Sequence, residues 1–240
     1  MDFLIVANWK MNGSREIAQE YKKLLENYLK GRQMNNLVIC PPSVYLSILK
    51  SDLYNIGAQD VSSFESFGPH TGEISANMLR DLGCGYVIIG HSERKAQENP
   101  SLIKAKIKAA QHQGLKVILC VGETAQERND GLHIASVTNQ LDLVLSLDCR
   151  GIYFAYEPLW AIGSGQDIEV SDLAEMTDAI TSHLLLRYQM TKREIQLLYG
   201  GSVSEQNAKE LMSLAQINGL LIGASSLECQ RIINIIDEIC

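Results

Sequence analysis

Gly151-Ile-Tyr-Phe-Ala-Tyr-Glu-Pro-Leu-Trp-Ala-Ile-Gly-Ser-Gly165 joins two unlike halves. The first half, Gly151–Tyr156, is apolar at successive positions instead of alternating apolar with polar. A strand that reads this way is covered on both faces, as in a parallel sheet, because an antiparallel strand with one wet face alternates. Runs of the same kind recur at Phe3–Asn8, Asn36–Cys40, Tyr54–Gln59, Gly85–Gly90, Leu115–Val121, Ile195–Tyr199 and Gly219–Ile222. Longer amphipathic stretches separate them: Ser14–Lys30, Ser43–Leu49, Ser75–Leu82, Pro100–Gln113, Gln126–Leu147, Asp172–Tyr188, Ser204–Ser213 and Ser226–Ile239. Ser14, Ser43, Ser171 and Ser204 stand where a hydroxyl can accept from the free N–H groups of a helix start. Strand and helix thus alternate without a break, and no Pro/Ser-rich linker divides residues 1–240. The expected fold is α/β, one (β/α)8 barrel domain of eight parallel strands with outer helices. An open doubly wound sheet is the alternative on pattern alone. No Gly-x-Gly-x-x-Gly follows the first strand, which counts against dinucleotide binding.

Composition narrows the function. The chain has 240 residues, 46% hydrophobic and 20% charged, with net charge −7. It has no basic block, so neither nucleic acid nor an anionic membrane is an expected partner. No apolar run reaches the roughly 18 residues of a membrane span. The start, Met-Asp-Phe-Leu-Ile-Val, lacks a basic region and a cleavage site, so no signal peptide is expected. Six scattered cysteines without metal-like spacing suggest free thiols, no metal site and a reducing, cytoplasmic setting.

In a parallel barrel the chemistry gathers beyond the C-terminal strand ends. The ends read Asn8-Trp9-Lys10, Gly90-His91-Ser92-Glu93-Arg94, Cys120-Val-Gly-Glu123, Glu157, Tyr199-Gly-Gly-Ser202 and Ile222-Gly-Ala-Ser225. Lys10, His91 and Glu157 form a reactive group. The last two ends are Gly/Ser turns entering helices, where backbone N–H groups can hold an anion; tight turns use the same residues for geometry alone. A base, a polariser and a cation at one mouth suit proton abstraction beside a carbonyl. Each also has a plain structural reading: Lys10 as a surface residue, His91 as a bonded rim histidine, Glu157 as the partner of an arginine.

The second half of the opening stretch suits a lid over that mouth. Proline confines Glu157 to extended geometry and makes Pro158-Leu-Trp160 a stiff hinge. Ala161-Ile-Gly163 would be the tip and Ser164-Gly-Gln166 a second hinge. An apolar lid excludes water from a fragile intermediate and strengthens a buried carboxylate base. A loop permanently packed beneath a neighbour, with Trp160 as filler, is the alternative.

These residues carry a resemblance. Ala7-Asn-Trp-Lys-Met-Asn12, Gly57-Ala-Gln-Asp60, Thr71-Gly-Glu-Ile-Ser75, Ile89-Gly-His-Ser-Glu-Arg94, Cys120-Val-Gly-Glu-Thr124, Ala155-Tyr-Glu-Pro-Leu-Trp-Ala-Ile-Gly163, Tyr199-Gly-Gly-Ser-Val203 and Gly219-Leu-Leu-Ile-Gly223 occur in the order and spacing of the triosephosphate isomerase family. The chain resembles that family along nearly its whole length. The resemblance implies interconversion of dihydroxyacetone phosphate and glyceraldehyde 3-phosphate, without a cofactor. The family is a standard illustration of both the barrel and the tuned acid/base pair, and those roles come with the resemblance. It implies Glu157 as base, His91 as neutral electrophile, and Lys10 with Asn8 on substrate. It further implies Glu93 in support beside Lys10, and backbone N–H groups of Gly163, Ser202, Gly223 and Ala224 on phosphate. Tyr199 would hold the closed lid. A homodimer is implied, with the loop about Val61–Ser75 plugged into the partner and Thr71 reaching its Lys10 region. Four positions depart from the family pattern: Ala224 for a second glycine, Gln166 for a lysine, Lys95 for an arginine and His70 for a phenylalanine. Other phosphate-binding barrel enzymes and a non-catalytic barrel are the rival readings.

Overall fold

The computed structural model describes residues 3–146, 149–161 and 168–239. Strands β1 (Leu4–Asn8), β2 (Met34–Cys40), β3 (Tyr54–Ala58), β4 (Tyr86–Ile89), β5 (Lys116–Val121), β6 (Ile152–Tyr156), β7 (Gln196–Tyr199) and β8 (Ile217–Ile222) pair in parallel, each with the next. β8 returns to β1, with Ile222 opposite Ala7, and the sheet closes into a barrel. The outer helices are α1 (Arg15–Leu29), α2 (Leu46–Leu49), α3 (Ala76–Leu82), α4 (Pro100–His112), α5 (Ala125–Asn129), α6 (His133–Val144), α7 (Val170–Tyr188), α8 (Ala208–Leu211) and α9 (Cys229–Ile239).

The unbroken apolar character of the strands has its cause in two cores. Leu4, Val6, Val38, Ile88, Ile118 and Leu198 pack together inside the barrel. Their strand neighbours Ile5, Ala7, Ile39, Val87, Leu119 and Leu197 pack against the helices. Successive side chains point to opposite faces, so both faces are dry throughout β1 and β4 and over the C-terminal parts of β2, β5 and β7, whose first residues reach the surface. Each fully buried aliphatic side chain contributes about 1.5–3 kcal/mol. On α1, Ala18, Tyr21, Leu25 and Leu29 repeat at helical spacing and are buried.

Several expected helix starts differ. The Ser14 hydroxyl does accept from the Ile17 N–H, at 3.2 Å. Ser43 instead opens a 3-10 turn whose cap is Pro42. Ser171 lies inside the first turn of α7, which begins after Glu169 without a side-chain cap. Ser204 donates its N–H to Asn207 Oδ1 in a turn that delays α8. The other effective side-chain caps are Ser75, Asn99 and Thr124, the last in a reciprocal box with Glu127. The single helix expected over 126–147 is two, because Gly131 turns at φ +71° between α5 and α6. The end of that expected span, Leu147, lies outside the described residues. Among the described residues, no helix is long and apolar enough to cross a membrane.

Because all eight strands run the same way, their C-terminal ends form one rim. Asn8 ends β1, Glu157 follows β6 directly, and His91 stands two residues past β4. Gly200-Gly-Ser202 follows β7 and Gly223-Ala224 follows β8.

Candidate active site

Glu157 and His91 meet at that rim. Both are buried, and Glu157 Oε1 lies 3.2 Å from His91 Nε2. The other carboxylate oxygen accepts from the Ser92 N–H at 3.3 Å. His91 Nδ1 accepts from the Glu93 N–H at 3.2 Å, at the start of the 3-10 turn Ser92–Arg94. With Nδ1 an acceptor, the ring proton is assigned to Nε2, facing the pocket as a donor. Burial pushes the Glu157 carboxyl above the usual carboxylate range, opposed first by His91 and then by the Ser92 N–H and Lys95. A desolvated carboxylate of raised basicity is suited to taking a proton from carbon. Gly200 leaves it room, since a Cβ there would come within 2.9 Å of Glu157 Cγ.

Lys10 stands in the left-handed region, φ 53°, a conformation that costs a non-glycine residue about 1–2 kcal/mol. Its neighbours hold it there. The Lys10 N–H donates to Asn8 Oδ1 at 3.0 Å, and Gln59 Nε2 donates to the Lys10 carbonyl at 2.8 Å. Lys10 Nζ pairs with Glu93 Oε1 at 2.8 Å. The opposite wall comes from the Gly/Ser turns, and the whole encloses a pocket of about 140 Å³ lined by Asn8, Lys10, His91, Glu157, Ser202 and Ala224 among others. Ser225 Oγ donates to the Val203 carbonyl at 3.0 Å and ties the two turns together. Ala224 opens the 3-10 turn Ala224–Leu227 and has no positive φ, so its methyl group carries no backbone strain. Gly223 packs against the Lys10 stem, which a Cβ would approach at 3.3 Å.

Asn8, Lys10, His91, Glu157, Ser202, Gly223 and Ala224 therefore share one pocket, with Glu93 beside Lys10. Tyr199 is buried at the end of β7. Thr71 is exposed, in the loop between β3 and α3. Gly163 and the expected second hinge Ser164-Gly-Gln166, with its Gln166 departure, lie outside the described residues.

Sequence reasoning named Glu123 only as a strand end. It is fully buried, and its Oε1 accepts from Tyr156 Oη and Trp160 Nε1, each at 3.0 Å, and from Arg128 Nε at 3.3 Å. The Arg128 guanidinium lies 5.4 Å from the Trp160 ring centre. Pro158-Leu-Trp160, expected as a hinge, is thus moored at Glu123. Its place on the rim was the available signal; its donors, up to 37 residues away, gave none.

A family model described as triosephosphate isomerase matches residues 3–239. A triosephosphate isomerase from Lawsonia intracellularis is 40% identical over 98% of this chain and 98% of its own. One from Coxiella burnetii is 38% identical over 97% and 95% of the two chains. The solved triosephosphate isomerase from Bartonella henselae superposes with a TM-score of 0.88 at 36% identity, covering 99% of both chains. Fold, rim chemistry and these likenesses agree, and the chain belongs to the triosephosphate isomerase family.

Proposed function

We propose that Glu157, His91 and Lys10 carry the aldose–ketose isomerisation that this enzyme performs between dihydroxyacetone phosphate and D-glyceraldehyde 3-phosphate, in glycolysis and gluconeogenesis. Glu157 takes the proton from the carbon next to the carbonyl and returns it to the neighbouring carbon. His91 donates Nε2–H to the oxygen on which negative charge grows, and the Lys10 ammonium neutralises the enediolate. Asn8 and Lys10 orient the substrate. The N–H groups of Ser202, Gly223, Ala224 and Gly163 take the phosphate, Glu93 holds Lys10, and Tyr199 helps hold the lid closed. The observation that carries this reading is the 3.2 Å approach of Glu157 to His91 in the pocket that Lys10 and both Gly/Ser turns line. Residues 1–240 act as one domain, in the cytoplasm.

The test is Glu157→Asp in a coupled assay. Withdrawing the carboxylate by one methylene lowers kcat about 10²-fold or more with little change in KM. Equal turnover in the folded variant would remove Glu157 as the base. The partner is a second copy of the chain. The loop after β3 exposes Phe64 and Phe67, at 43% and 68%, and the ring of His70 stacks on Phe64. A loop with exposed aromatic rings suits insertion into a neighbour, with Thr71 reaching that copy's Lys10 region. Sedimentation equilibrium giving a monomer at micromolar concentration would refute the dimer.

A further inference from the structure

Lys95 follows the turn that presents His91 and Ser92 to the base, yet its side chain runs the other way, behind the strand ends. Its Nζ donates to the Gly122 carbonyl at 3.2 Å and to Gln140 Oε1 at 2.9 Å. Gln140 in turn grips both polar groups of Gly122: its Nε2 donates to the Gly122 carbonyl at 2.9 Å, and its Oε1 accepts the Gly122 N–H at 3.1 Å. Gly122 is the surface on which the base rests. An added Cβ there would lie 1.7 Å from the Glu157 carbonyl oxygen. The Lys95 ammonium, Gln140, Gly122 and the Glu157 main chain therefore form one stack through the ends of β4, β5 and β6.

The partners of this ammonium are unusual. Among the described residues, both groups that accept its hydrogen bonds are neutral oxygens, and no carboxylate comes within ion-pair distance. A partly buried ammonium without a counter-ion is costly, and its charge is little screened by water. The acidic groups that face it are Glu157 after β6, Cys120 on β5, Glu123 after β5 and Glu127 on α5. Glu98, at the foot of α4, lines with Lys95 a second cavity, separate from the active-site pocket, but is held by Arg94 and Lys106. Glu123 is bonded by Arg128 and Glu127 by Thr124 and Ser136. Of the facing carboxylates, Glu157 is the buried one whose direct partners include no permanent cation.

We propose that Lys95 is a positioning residue for the base: it fixes, through Gly122 and Gln140, the seat of the Glu157 main chain, and it keeps a positive charge behind the carboxylate that favours its ionised form. The proposal rests on Glu157 being the base. Burial pushes the Lys95 ammonium below its usual range, with Glu157 the largest of the charges opposing that fall, in keeping with a coupling between the two.

The experiment compares Lys95→Met, Lys95→Arg and Gln140→Met, with circular dichroism to establish folding. Lys95→Met is expected to lower kcat about tenfold while KM changes less than about threefold, because the phosphate turns lie on the far wall. It also moves the acid limb of the kcat/KM profile upward, by roughly half to one pH unit, because Glu157 ionises less readily without the cation. Lys95→Arg keeps the charge and restores the limb. Gln140→Met loosens the seat and lowers kcat with the limb in place. A limb unmoved in folded Lys95→Met, whether or not kcat falls, overturns the proposal. Should Lys95→Met fail to fold, Lys95→Gln, which can still bond the Gly122 carbonyl, gives the same readings. Glu157→Asp is run in parallel: full activity there places the failure in the identity of the base, whereas a crippled Glu157→Asp beside an unchanged Lys95→Met places it in Lys95.

Discussion

Gly122→Ala tests how tightly Glu157, the proposed base, is seated. The new Cβ would fall 1.7 Å from the Glu157 carbonyl oxygen and 2.6 Å from its carbonyl carbon, where contacts under 3.0 Å are essentially never found. About 1.3 Å of separation has to be found in a close-packed interior without slack. The obstacle is main chain, and it is pinned on both sides: the Glu157 N–H donates to Val121 at 2.8 Å and the Leu159 N–H to Glu123 at 3.0 Å. Moving it strains both bonds, each worth about 1 kcal/mol, and the crowding itself costs about 1–3 kcal/mol of stability. A displacement of about 1 Å at a catalytic group costs on the order of 10²-fold in rate, about 2.7 kcal/mol of barrier. We therefore expect kcat to fall about a hundredfold and KM to stay within about threefold, since the Gly/Ser turns after β7 and β8 are untouched. Gly200→Ala is the control. Its Cβ would meet Glu157 Cγ at 2.9 Å, a side-chain atom that can turn aside, so a loss of only about tenfold is expected. The assay is steady-state turnover of glyceraldehyde 3-phosphate with thermal unfolding measured alongside. A folded Gly122→Ala enzyme with kcat within about threefold of the parent would refute the reasoning.

Glu157→Gln trades activity for stability. The folded carboxyl titrates above its unfolded range, so between about pH 4.3 and its raised native value the unfolded chain sheds a proton that the native one keeps. Ionisation thus disfavours the fold as pH rises, and the variant should show a higher Tm at pH 8 that fades below about pH 4.3; an equal gap at both pH values would contradict this. Lys106→Met should cost about 3 kcal/mol, because Lys106 bridges Asp60 at 2.7 Å and the buried Glu98 at 2.7 Å, leaving Glu98 only Arg94. Urea unfolding reads this as a lower midpoint at unchanged slope, and a midpoint equal to the parent's would count against it.

What was legible in the sequence follows from the range of the interactions involved. Strand identity is local information: a residue such as Ile118 or Leu119 is apolar because one face meets the barrel interior and the other a helix, and that leaves a run visible in a few residues. Strand-end chemistry was legible for the same reason, since parallel closure sends Asn8, His91 and Glu157 to one rim whatever their neighbours. Helix starts were less so. A serine at a plausible distance from an apolar run is a cap only if the backbone turns there, and at Ser171 it turns at Glu169 instead. The departure at Ala224 raised a question of strain that sequence could pose but not answer, because it depends on one φ angle.

The supporting residues were hidden for a different reason. Glu123 is fixed by side chains 5, 33 and 37 residues away, and Lys95 by groups 27 and 45 residues away. Nothing in a local pattern announces such a meeting. Strand adjacency makes it, through the register that sets Val121 beside Tyr156 and Ile89 beside Leu119. The consequence is that the basicity of the Glu157 carboxylate, the proposed base, is not its own property. Its basicity is raised by burial, lowered by His91 and Ser92 from the end of β4, and set in place by Gly122 from the end of β5. A substitution on either neighbouring strand end can therefore change the proposed reaction without touching the substrate, and the segment Pro158-Leu-Trp160 shares the same dependence through Trp160 and Glu123.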